Sequence, residues 1–271
     1  MKEILIPRPA ATVMLVRAAP HGFEVLMMQR NFQSVFVPGA YVFPGGAVDP
    51  HDSSDDITAL CTGLTDAEAS RKLGVAGGGL AYWVAAIRES FEEAGILLAC
   101  NDKDEIVTLD DSVRAARFHA YRSRVEHGEH PFSEMLKDEG LRLPLQQIAY
   151  FSHWITPAGA PRRYDTRFFV AAAPAAQQSL HDNGETIGHV WVRPGEALSL
   201  HKQKKFDMRT PTVNTLRLFA EHDSVTSLMT CMQALGDIPV IEPRINKDGL
   251  RVLPGQPGYE EAGTEAGRGT F

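Results

Sequence analysis

Hydrophobic residues recur along this chain with two different periods, which predict strands near its start and a helix that ends near residue 94. Residues 10–17 and 23–30 are short, mostly apolar runs on either side of a Pro-His-Gly turn, and they predict a β-hairpin. Over residues 80–94 the apolar side chains are instead spaced by three and four, so they share one face of a predicted helix. Gly95 is a natural C-terminal stop for that helix, because glycine tolerates the left-handed conformation.

The opposite face of this predicted helix is acidic. Glu89, Glu92 and Glu93 stand at positions i, i+3 and i+4, so their carboxylates crowd together. Like charges at this spacing cost about 0.2–0.5 kcal/mol per pair in a bare helix. A bound cation relieves the repulsion, and Mg²⁺ is commonly held by carboxylates together with substrate phosphates. Taken alone, the cluster fits a solvated acidic helix face better than it fits a metal site.

Capping residues and glycine stops predict further helices, and apolar runs predict further strands. The predicted helices cover residues 66–73, 110–127, 131–139 and 213–221. The predicted strands cover residues 150–155, 167–171 and 189–192, and residues 238–253 predict a closing hairpin. The two helices over residues 110–127 and 131–139 contain no motif of their own, and we expect a helical lobe beside the core that supplies one wall of a substrate cleft or a homodimer surface. Residues 255–271 are rich in Gly and Glu and typical of a disordered tail.

The composition is ordinary for a globular protein, with 271 residues of which 44% are hydrophobic and 23% charged. We expect one domain over residues 1–236, with helical insertions at about 53–80 and 102–140, followed by a hairpin and tail over residues 237–271. The formal charge of −7 argues against a broad nucleic-acid-binding surface but allows one bound nucleotide. The three cysteines lack metal-site spacing, and the chain has neither a membrane-length apolar run nor a signal-peptide core. We therefore expect a cytoplasmic protein that binds neither nucleic acid nor membrane.

A second motif changes the interpretation of the acidic helix. Residues 43–49 read Phe-Pro-Gly-Gly-Ala-Val-Asp, and the proline with two glycines predicts a tight loop that other groups can approach closely. Together the loop and the helix resemble the Nudix hydrolase signature G-x5-E-x7-R-E-U-x-E-E-x-G-U, in which U is a bulky apolar residue. Gly46 matches its first glycine, and residues 88–96 match its second half. Asp52 stands where the signature has Glu, Ser90 takes an apolar position, and 35 residues rather than seven separate Asp52 from Arg88.

The sequence upstream of the loop resembles one subgroup of this family. Nudix enzymes that hydrolyse coenzyme A carry the signature L-L-T-x-R-[SA]-x3-R-x3-G-x3-F-P-G-G. Leu26, Arg30, Gly39 and residues 43–46 match it, whereas Asn31 and Val35 depart from it; the position of Val35 should be Arg. The peroxisomal coenzyme A diphosphatase subgroup is the one that the chain resembles in particular. Three features carry this resemblance: the run over residues 30–49, the long insertion inside the Nudix signature (hereafter the box), and the peptide around Arg162 and Arg163.

The resemblance implies an α/β fold, the Nudix α/β/α sandwich with a mixed sheet, here with an added helical lobe. It also implies hydrolysis of a nucleoside diphosphate with Mg²⁺ or Mn²⁺. Glu92 and Glu93 are implied metal ligands, Glu89 is a ligand or the general base, and Arg88 orients the carboxylates by an ion pair. Further implied ligands are the carbonyl of Gly45 and the side chain of Glu185, and weaker candidates are Asp49 and Asp52.

Three arginines are candidate substrate-binding residues: Arg30, Arg162 and Arg163. Arginine forks suit phosphate oxygens, and Arg163, Asp165 and Arg167 alternate onto one face of a predicted strand. The alternative is that Asp165 pairs internally with Arg163 or Arg167, which the sequence favours at least equally.

Two classes of function remain open from the sequence. The favoured one is an enzyme that cleaves coenzyme A or acyl-coenzyme A to 3′,5′-ADP and (acyl-)4′-phosphopantetheine, with ADP-ribose or NADH as alternative substrates. The other is a catalytically silent module that binds a nucleotide or a partner. A silent module would be expected to lose the acids of the box, and this chain retains Arg88, Glu89, Glu92 and Glu93. The insertion over residues 53–79 contains no paired acid or clustered His, and we expect it to be non-catalytic.

Overall fold

A computed structural model describes residues 5–33, 38–177 and 186–262, and a mixed β-sheet forms its centre. The strands are β1 Arg8–Ala19, β2 Gly22–Arg30, β3 Tyr41–Val42, β4 Gly45–Ala47, β5 Cys61–Thr62, β6 Leu143–Pro144, β7 Ile148–Ile155, β8 Tyr164–Ala172, β9 Thr186–Val192, β10 Val240–Ile241, β11 Arg244–Ile245 and β12 Arg251–Val252. The helices are α1 Asp55–Thr58, α2 Asp66–Leu73, α3 Leu80–Ala94, α4 Ser112–Glu126, α5 Phe132–Asp138, α6 Pro194–Lys202, α7 Thr210–Phe219 and α8 Val225–Gln233.

Among the described residues, the main sheet has eight strands. Six of them follow the order β10-β7-β8-β1-β2-β3; of the other two, β4 pairs with β1 and β9 pairs with β2. The predicted hairpin of β1 and β2 is confirmed and is antiparallel. The two strands pair where Val16 faces Val25, but at Ala10–Thr12 strand β1 pairs with β4 instead. This change of partner brings the Pro-Gly-Gly loop alongside the start of β1.

Helices cover both faces of the sheet, so the predicted α/β/α sandwich with a mixed sheet is confirmed. One face, with Val13 and Leu15 of β1, packs against α3 and the helices around it. The other face packs against α6, α7 and α8. Trp83 anchors α3 to the sheet, because its indole lies against Phe169 with ring centroids 4.8 Å apart and donates to the carbonyl of Ile148 at 3.1 Å.

The predicted helical lobe is not a separate body, since its side chains belong to the same core as the sheet. Ile57, Leu73 and Phe118 are buried in the cluster that contains α3 and β1. The sequence could not show this, because these helices have narrow apolar faces and their partners lie far away along the chain. The helix predicted over residues 66–73 is confirmed as α2, and a capping box between Thr65 and Glu68 begins it.

The first insertion also caps the start of α3. The carboxylate of Asp66 accepts hydrogen bonds from the amides of Gly78 and Leu80, both at 3.0 Å. The hydroxyl of Ser70 accepts one from the amide of Gly79 at 3.0 Å. The first amides of a helix lack partners within the helix, so these bonds stabilise it. We therefore expect the insertion to be needed for folding, although it carries no reactive group of the box.

The end of α3 explains why Ser90 stands in a position that the family signature keeps apolar. Gly95 adopts the left-handed conformation, as predicted, with φ of +68°. The amide of Ile96 donates back to the carbonyl of Ser90 at 3.2 Å. The hydroxyl of Ser90, which is fully buried, donates to the carbonyl of Ile96 at 2.7 Å. Ser90 thus fastens the turn that follows the acidic residues.

The C-terminal part is tied to the sheet rather than separated from it at residue 236. Strand β10 pairs in parallel with β7, and the predicted hairpin is confined to β11 and β12. Helix α8, which begins after the capping residue Ser224, was not predicted. Residues 255–262 are described and include the buried Tyr259, so this part of the predicted disordered tail is packed. The described helices include none that is long and apolar enough to cross a membrane.

The closure of α3 by Ser90 can be tested by its removal. Ser90→Ala should lower the free energy of unfolding by about 1–3 kcal/mol, because the buried carbonyl of Ile96 loses its donor. Ser53→Ala is the matched control, since that hydroxyl donates to the carbonyl of Pro50 at 3.0 Å but is exposed; it should change the free energy by about 0.5 kcal/mol or less. Equal losses in urea denaturation of the two variants would contradict the account.

Candidate active site

Arg88 lies at the centre of the acidic face of α3, and hydrogen bonds use all five of its N–H groups. Nε and Nη2 donate to the two carboxylate oxygens of Asp52 at 2.9 and 3.0 Å. Nη2 also donates to the carbonyl of Ala47 at 3.0 Å. Nη1 donates to Glu89 and to Glu92, each at 2.9 Å. One guanidinium therefore fixes the positions of three carboxylates and one loop carbonyl.

The 35-residue insertion leaves Asp52 in contact with the box. Asp52 lies in a 3₁₀ turn over Pro50–Ser53, where Asp49 caps the turn. The amide of Asp49 donates to the carboxylate of Asp52 at 2.8 Å, and Asp52 is only 2% exposed. Asp52 therefore serves as the partner of Arg88, while Asp49 holds the turn that carries it. The chain leaves after this turn and returns at α3, so the insertion does not separate the two halves of the box in space.

The loop over residues 43–49, called the glycine loop below, lies directly beside two of the acids at Gly45 and Gly46. The amide of Gly45 donates to the carboxylate of Glu93 at 3.0 Å. A methyl group on Gly46 would lie 2.4 Å from a carboxylate oxygen of Glu89, and one on Gly45 would lie 2.5 Å from the carbonyl oxygen of Ala11. Gly45 needs glycine because an added methyl group would meet the backbone of β1, whereas one at Gly46 would meet only the carboxylate of Glu89, which can move.

Burial and mutual repulsion make the acidic cluster electrostatically unusual. Burial raises the pKa of Glu92 to about 7, with a further increase from the neighbouring charge of Glu89, although Arg88 opposes both. Burial alone would lower the pKa of Arg88, but the hydrogen bond to Asp52 and the charge of Glu89 raise it overall. One guanidinium thus compensates the surrounding carboxylates only in part, and the remaining negative charge favours a cation.

The donor chemistry of the cluster fits a hard divalent cation, although the ligands do not converge. Among the residues that the structure describes, no three His, Cys, Asp or Glu side chains lie close enough together to hold a metal ion. Glu89 and Glu92 bond to Arg88, while Glu93 faces the amide of Gly45. Carboxylate oxygens beside a loop carbonyl are nevertheless the ligands that Mg²⁺ prefers. Glu185, a further predicted ligand, lies outside the described residues, so the ligand set stays a prediction.

The structure separates the three candidate substrate arginines. Arg30 ends β2 and faces Thr186 of β9, and Arg162 is exposed in the turn before β8. Arg163 is only 8% exposed and donates to Glu242 at 2.6 Å and to the carbonyls of Leu5 and Thr156. These contacts tie the segments at Leu5, Thr156 and Glu242 to the start of β8, so the structure does not support a substrate-binding role for Arg163.

The alternative of an internal ion pair is the one that the structure contains. Asp165 pairs with Arg167, and His153 lies 2.5 Å from the same carboxylate. The hydrogen bond from His153 and the charge of Arg167 hold the pKa of Asp165 below its usual value, although burial alone would raise it. Arg167 also lies over the ring of Tyr82 at 5.2 Å. The cluster packs against Tyr82 of α3, so the charges of Asp165 and Arg167 are paired within the fold.

One contact of the acidic helix has no counterpart in the sequence motifs. Arg122 of α4 donates to the backbone carbonyls of Glu92 and Glu93 at 2.8 and 2.9 Å. A signal existed, because Phe118, Arg122 and Val125 are spaced by four and three, which places an arginine on the apolar face of α4.

Comparisons with known proteins agree with this arrangement. A family model described as the NUDT19 Nudix domain matches residues 7–78 and 66–218. The chain is 29% identical to the acyl-coenzyme A diphosphatase NUDT19 of Xenopus laevis over 219 residues, covering 70% of this chain and 57% of that protein. It is 28% identical to the human protein of that name over 251 residues, covering 82% of this chain and 67% of that protein. The chain thus matches well under two thirds of the frog protein's length.

A solved structure supports the same fold. The crystal structure of a NUDIX hydrolase from Alicyclobacillus acidocaldarius superposes with a TM-score of 0.70 at 22% identity, covering 86% of this chain and 98% of that chain. At this level of identity the likeness concerns the fold.

The packing of Glu89 over Gly46 can be tested with a single methyl group. Gly46→Ala should displace the carboxylate of Glu89 and weaken Mn²⁺ binding, measured by titration. It should cost little stability, because the atom it meets is the end of a flexible side chain. Gly77→Ala is the matched control, since a methyl group there meets nothing within 4 Å. Unchanged Mn²⁺ binding in Gly46→Ala would show that Glu89 is not part of the cation site.

Proposed function

Because the chain belongs to the Nudix hydrolase family, with a Nudix domain of the NUDT19 type, we propose that it hydrolyses the diphosphate of coenzyme A or acyl-coenzyme A in the presence of Mg²⁺ or Mn²⁺. Water cleaves one P–O bond of the diphosphate bridge, which gives 3′,5′-ADP and 4′-phosphopantetheine or its acyl form. The substrate is a small nucleotide.

The observation that carries this proposal is the cluster around Arg88. Asp52, Glu89 and Glu92 all bond to this guanidinium, and Glu93 bonds to the loop that precedes the box. A module that only binds a nucleotide has no need to keep four buried or half-buried acids whose repulsion raises the pKa of Glu92. This argues for the enzyme over the silent module.

The residues of the site have different proposed roles in diphosphate hydrolysis. A divalent metal supplies charge neutralisation of the phosphate oxygens and activation of water. Glu92 and Glu93 are its proposed ligands, because Glu93 accepts a hydrogen bond from the amide of Gly45 and Glu92 accepts one from Arg88, which also bonds the carbonyl of Ala47. Glu89 lies over Gly46 and is a third ligand or the general base that accepts the proton from water. Arg88 contributes through the carboxylates that it orients and contacts no phosphate, since its N–H groups are all engaged.

Arg30 and Arg162 are the proposed phosphate-binding residues. Arg30 ends the strand that leads toward the glycine loop, and Arg162 is exposed beside β8. Glu185 is retained as a proposed metal ligand, because it immediately precedes β9, which pairs with the end of β2 at Arg30.

Two features of the sequence favour coenzyme A among diphosphates. The frog and human relatives described above are named acyl-coenzyme A diphosphatases. The sequence from Leu26 to Gly46 also resembles the coenzyme A signature of the Nudix family, and Arg30 and Gly39 occupy matching positions.

ADP-ribose or NADH is the second candidate substrate, and Val35 is the observation that favours it. The coenzyme A signature has Arg at this position. A hydrogen bond to a charged group contributes about 1.5–3 kcal/mol, so a missing arginine can shift preference toward a diphosphate with fewer phosphate groups.

The ligand roles of Glu92 and Glu93 predict a loss of turnover without a loss of folding. Glu92→Gln and Glu93→Gln should each abolish metal-dependent hydrolysis, because the amide keeps an oxygen acceptor but loses the charge that holds the metal. Glu196→Gln, at an exposed position on α6, is the matched control and should retain full activity. The measurements are kcat and the melting temperature; near-normal kcat in either site variant would rule out the assignment.

The substrate is tested by a panel in which coenzyme A, acetyl-coenzyme A, ADP-ribose and NADH are compared under one metal condition, with products identified by mass. We expect the highest kcat/KM for coenzyme A or its acetyl form. A tenfold preference for ADP-ribose or NADH, equivalent to about 1.4 kcal/mol of transition-state binding, would contradict the coenzyme A proposal and leave diphosphate hydrolysis in place.

A further inference from the structure

An arginine of the second helical insertion bonds the C-terminal end of α3, the helix that carries the acids. Arg122 is 4% exposed, and its Nε and Nη2 donate to the carbonyls of Glu92 and Glu93 at 2.8 and 2.9 Å. The last carbonyls of a helix have no partners within the helix. Those of Ser90 and Phe91 accept the amides of the Gly95 turn, which does not reach the next two. Arg122 bonds these two.

The contact is rigid because both of its sides are packed. The guanidinium is planar and presents its donors in a fixed fork, so two bonds define the position of two peptide groups. The neighbouring Phe118 of α4 is 1% exposed and meets Phe91 of α3 edge to face, with ring centroids 6.4 Å apart. A positive charge at the C-terminal end of a helix is also favoured by the helix dipole.

The two carbonyls belong to the residues whose side chains are the proposed metal ligands. Glu93 reaches the amide of Gly45, and Glu92 reaches Arg88, only while the last turn of α3 keeps its helical form. We propose that Arg122 is a positioning residue of the metal site, which holds the backbone of Glu92 and Glu93 so that their carboxylates stay beside the glycine loop. This inference rests on the proposed function, because it concerns the same site.

The chain offers a matched contact at the other end of the same helix. Asp66, in the first insertion, also makes two hydrogen bonds to the backbone around the helix terminus, to Gly78 and Leu80. Leu80 and Glu92 are twelve residues apart, which is about 18 Å along a helix. The loss of Asp66 should therefore destabilise α3 without moving the acidic turn.

The experiment compares Arg122→Met, Arg122→Lys and Asp66→Ala with the wild-type chain. Binding of Mn²⁺ alone is measured by electron paramagnetic resonance, and melting temperature and kcat with coenzyme A are measured on the same samples. Arg122→Met should weaken Mn²⁺ binding by about 10–100-fold, which is typical when a residue that orients metal ligands is removed. Arg122→Lys should give a smaller loss, because one ammonium group replaces a two-armed fork. Asp66→Ala should lower the melting temperature and leave Mn²⁺ binding near that of the wild type.

Two results would overturn the inference. One is wild-type Mn²⁺ affinity in folded Arg122→Met; if that variant does not fold, wild-type affinity in Arg122→Lys has the same meaning. The other is an equal loss of affinity in Asp66→Ala, which would make the role of Arg122 one of general stability. A different outcome would overturn the proposed function itself: a Glu92→Gln variant that binds Mn²⁺ as tightly as the wild-type chain does.

Discussion

The contact between Arg88 and the carboxylates around it is the interaction on which the rest of the site depends. The five N–H groups of Arg88 donate to Asp52, to the carbonyl of Ala47 in the glycine loop, and to two acids of α3, Glu89 and Glu92. Removal of one partner of a buried ion pair costs about 3–5 kcal/mol, because the other charge stays buried. The loop, the 3₁₀ turn and the helix are therefore held in one arrangement by a single side chain, and the incomplete compensation of charge is what makes the arrangement suited to a cation.

The insertions strengthen this arrangement. The first returns to the start of α3 and caps it through Asp66, and the second bonds its last turn through Arg122. A loop inserted into a compact motif has a small entropic penalty, about 0.6 kcal/mol for each doubling of its length. Here the added residues also bury Leu73 and Phe118 in the common core. The helix that carries the acids is consequently fixed at its start by the insertion inside the Nudix signature and at its end by the insertion that follows the signature.

The parts of the structure that the sequence predicted well are those set by local chemistry. The hairpin, the bounds of α3 and its Gly95 stop follow from apolar spacing and from backbone preferences, which act over a few residues. The contacts that sequence reasoning missed join distant segments. Arg163 was predicted to bind substrate, but its partner Glu242 is 79 residues away, and no periodicity connects the two. The role of Arg122 was missed because an arginine within an apolar stripe does not indicate which distant group it will bond.

The most direct test of the account is a crystal structure of the protein grown with Mn²⁺, with the ion located by its anomalous scattering. The account predicts one strong anomalous peak between the glycine loop and α3, coordinated by the carboxylates of Glu92 and Glu93, with Arg88 still bonded to Asp52. A peak elsewhere in the molecule, or the absence of a peak at this position in crystals whose protein hydrolyses coenzyme A, would contradict the claim that this cluster is the metal site.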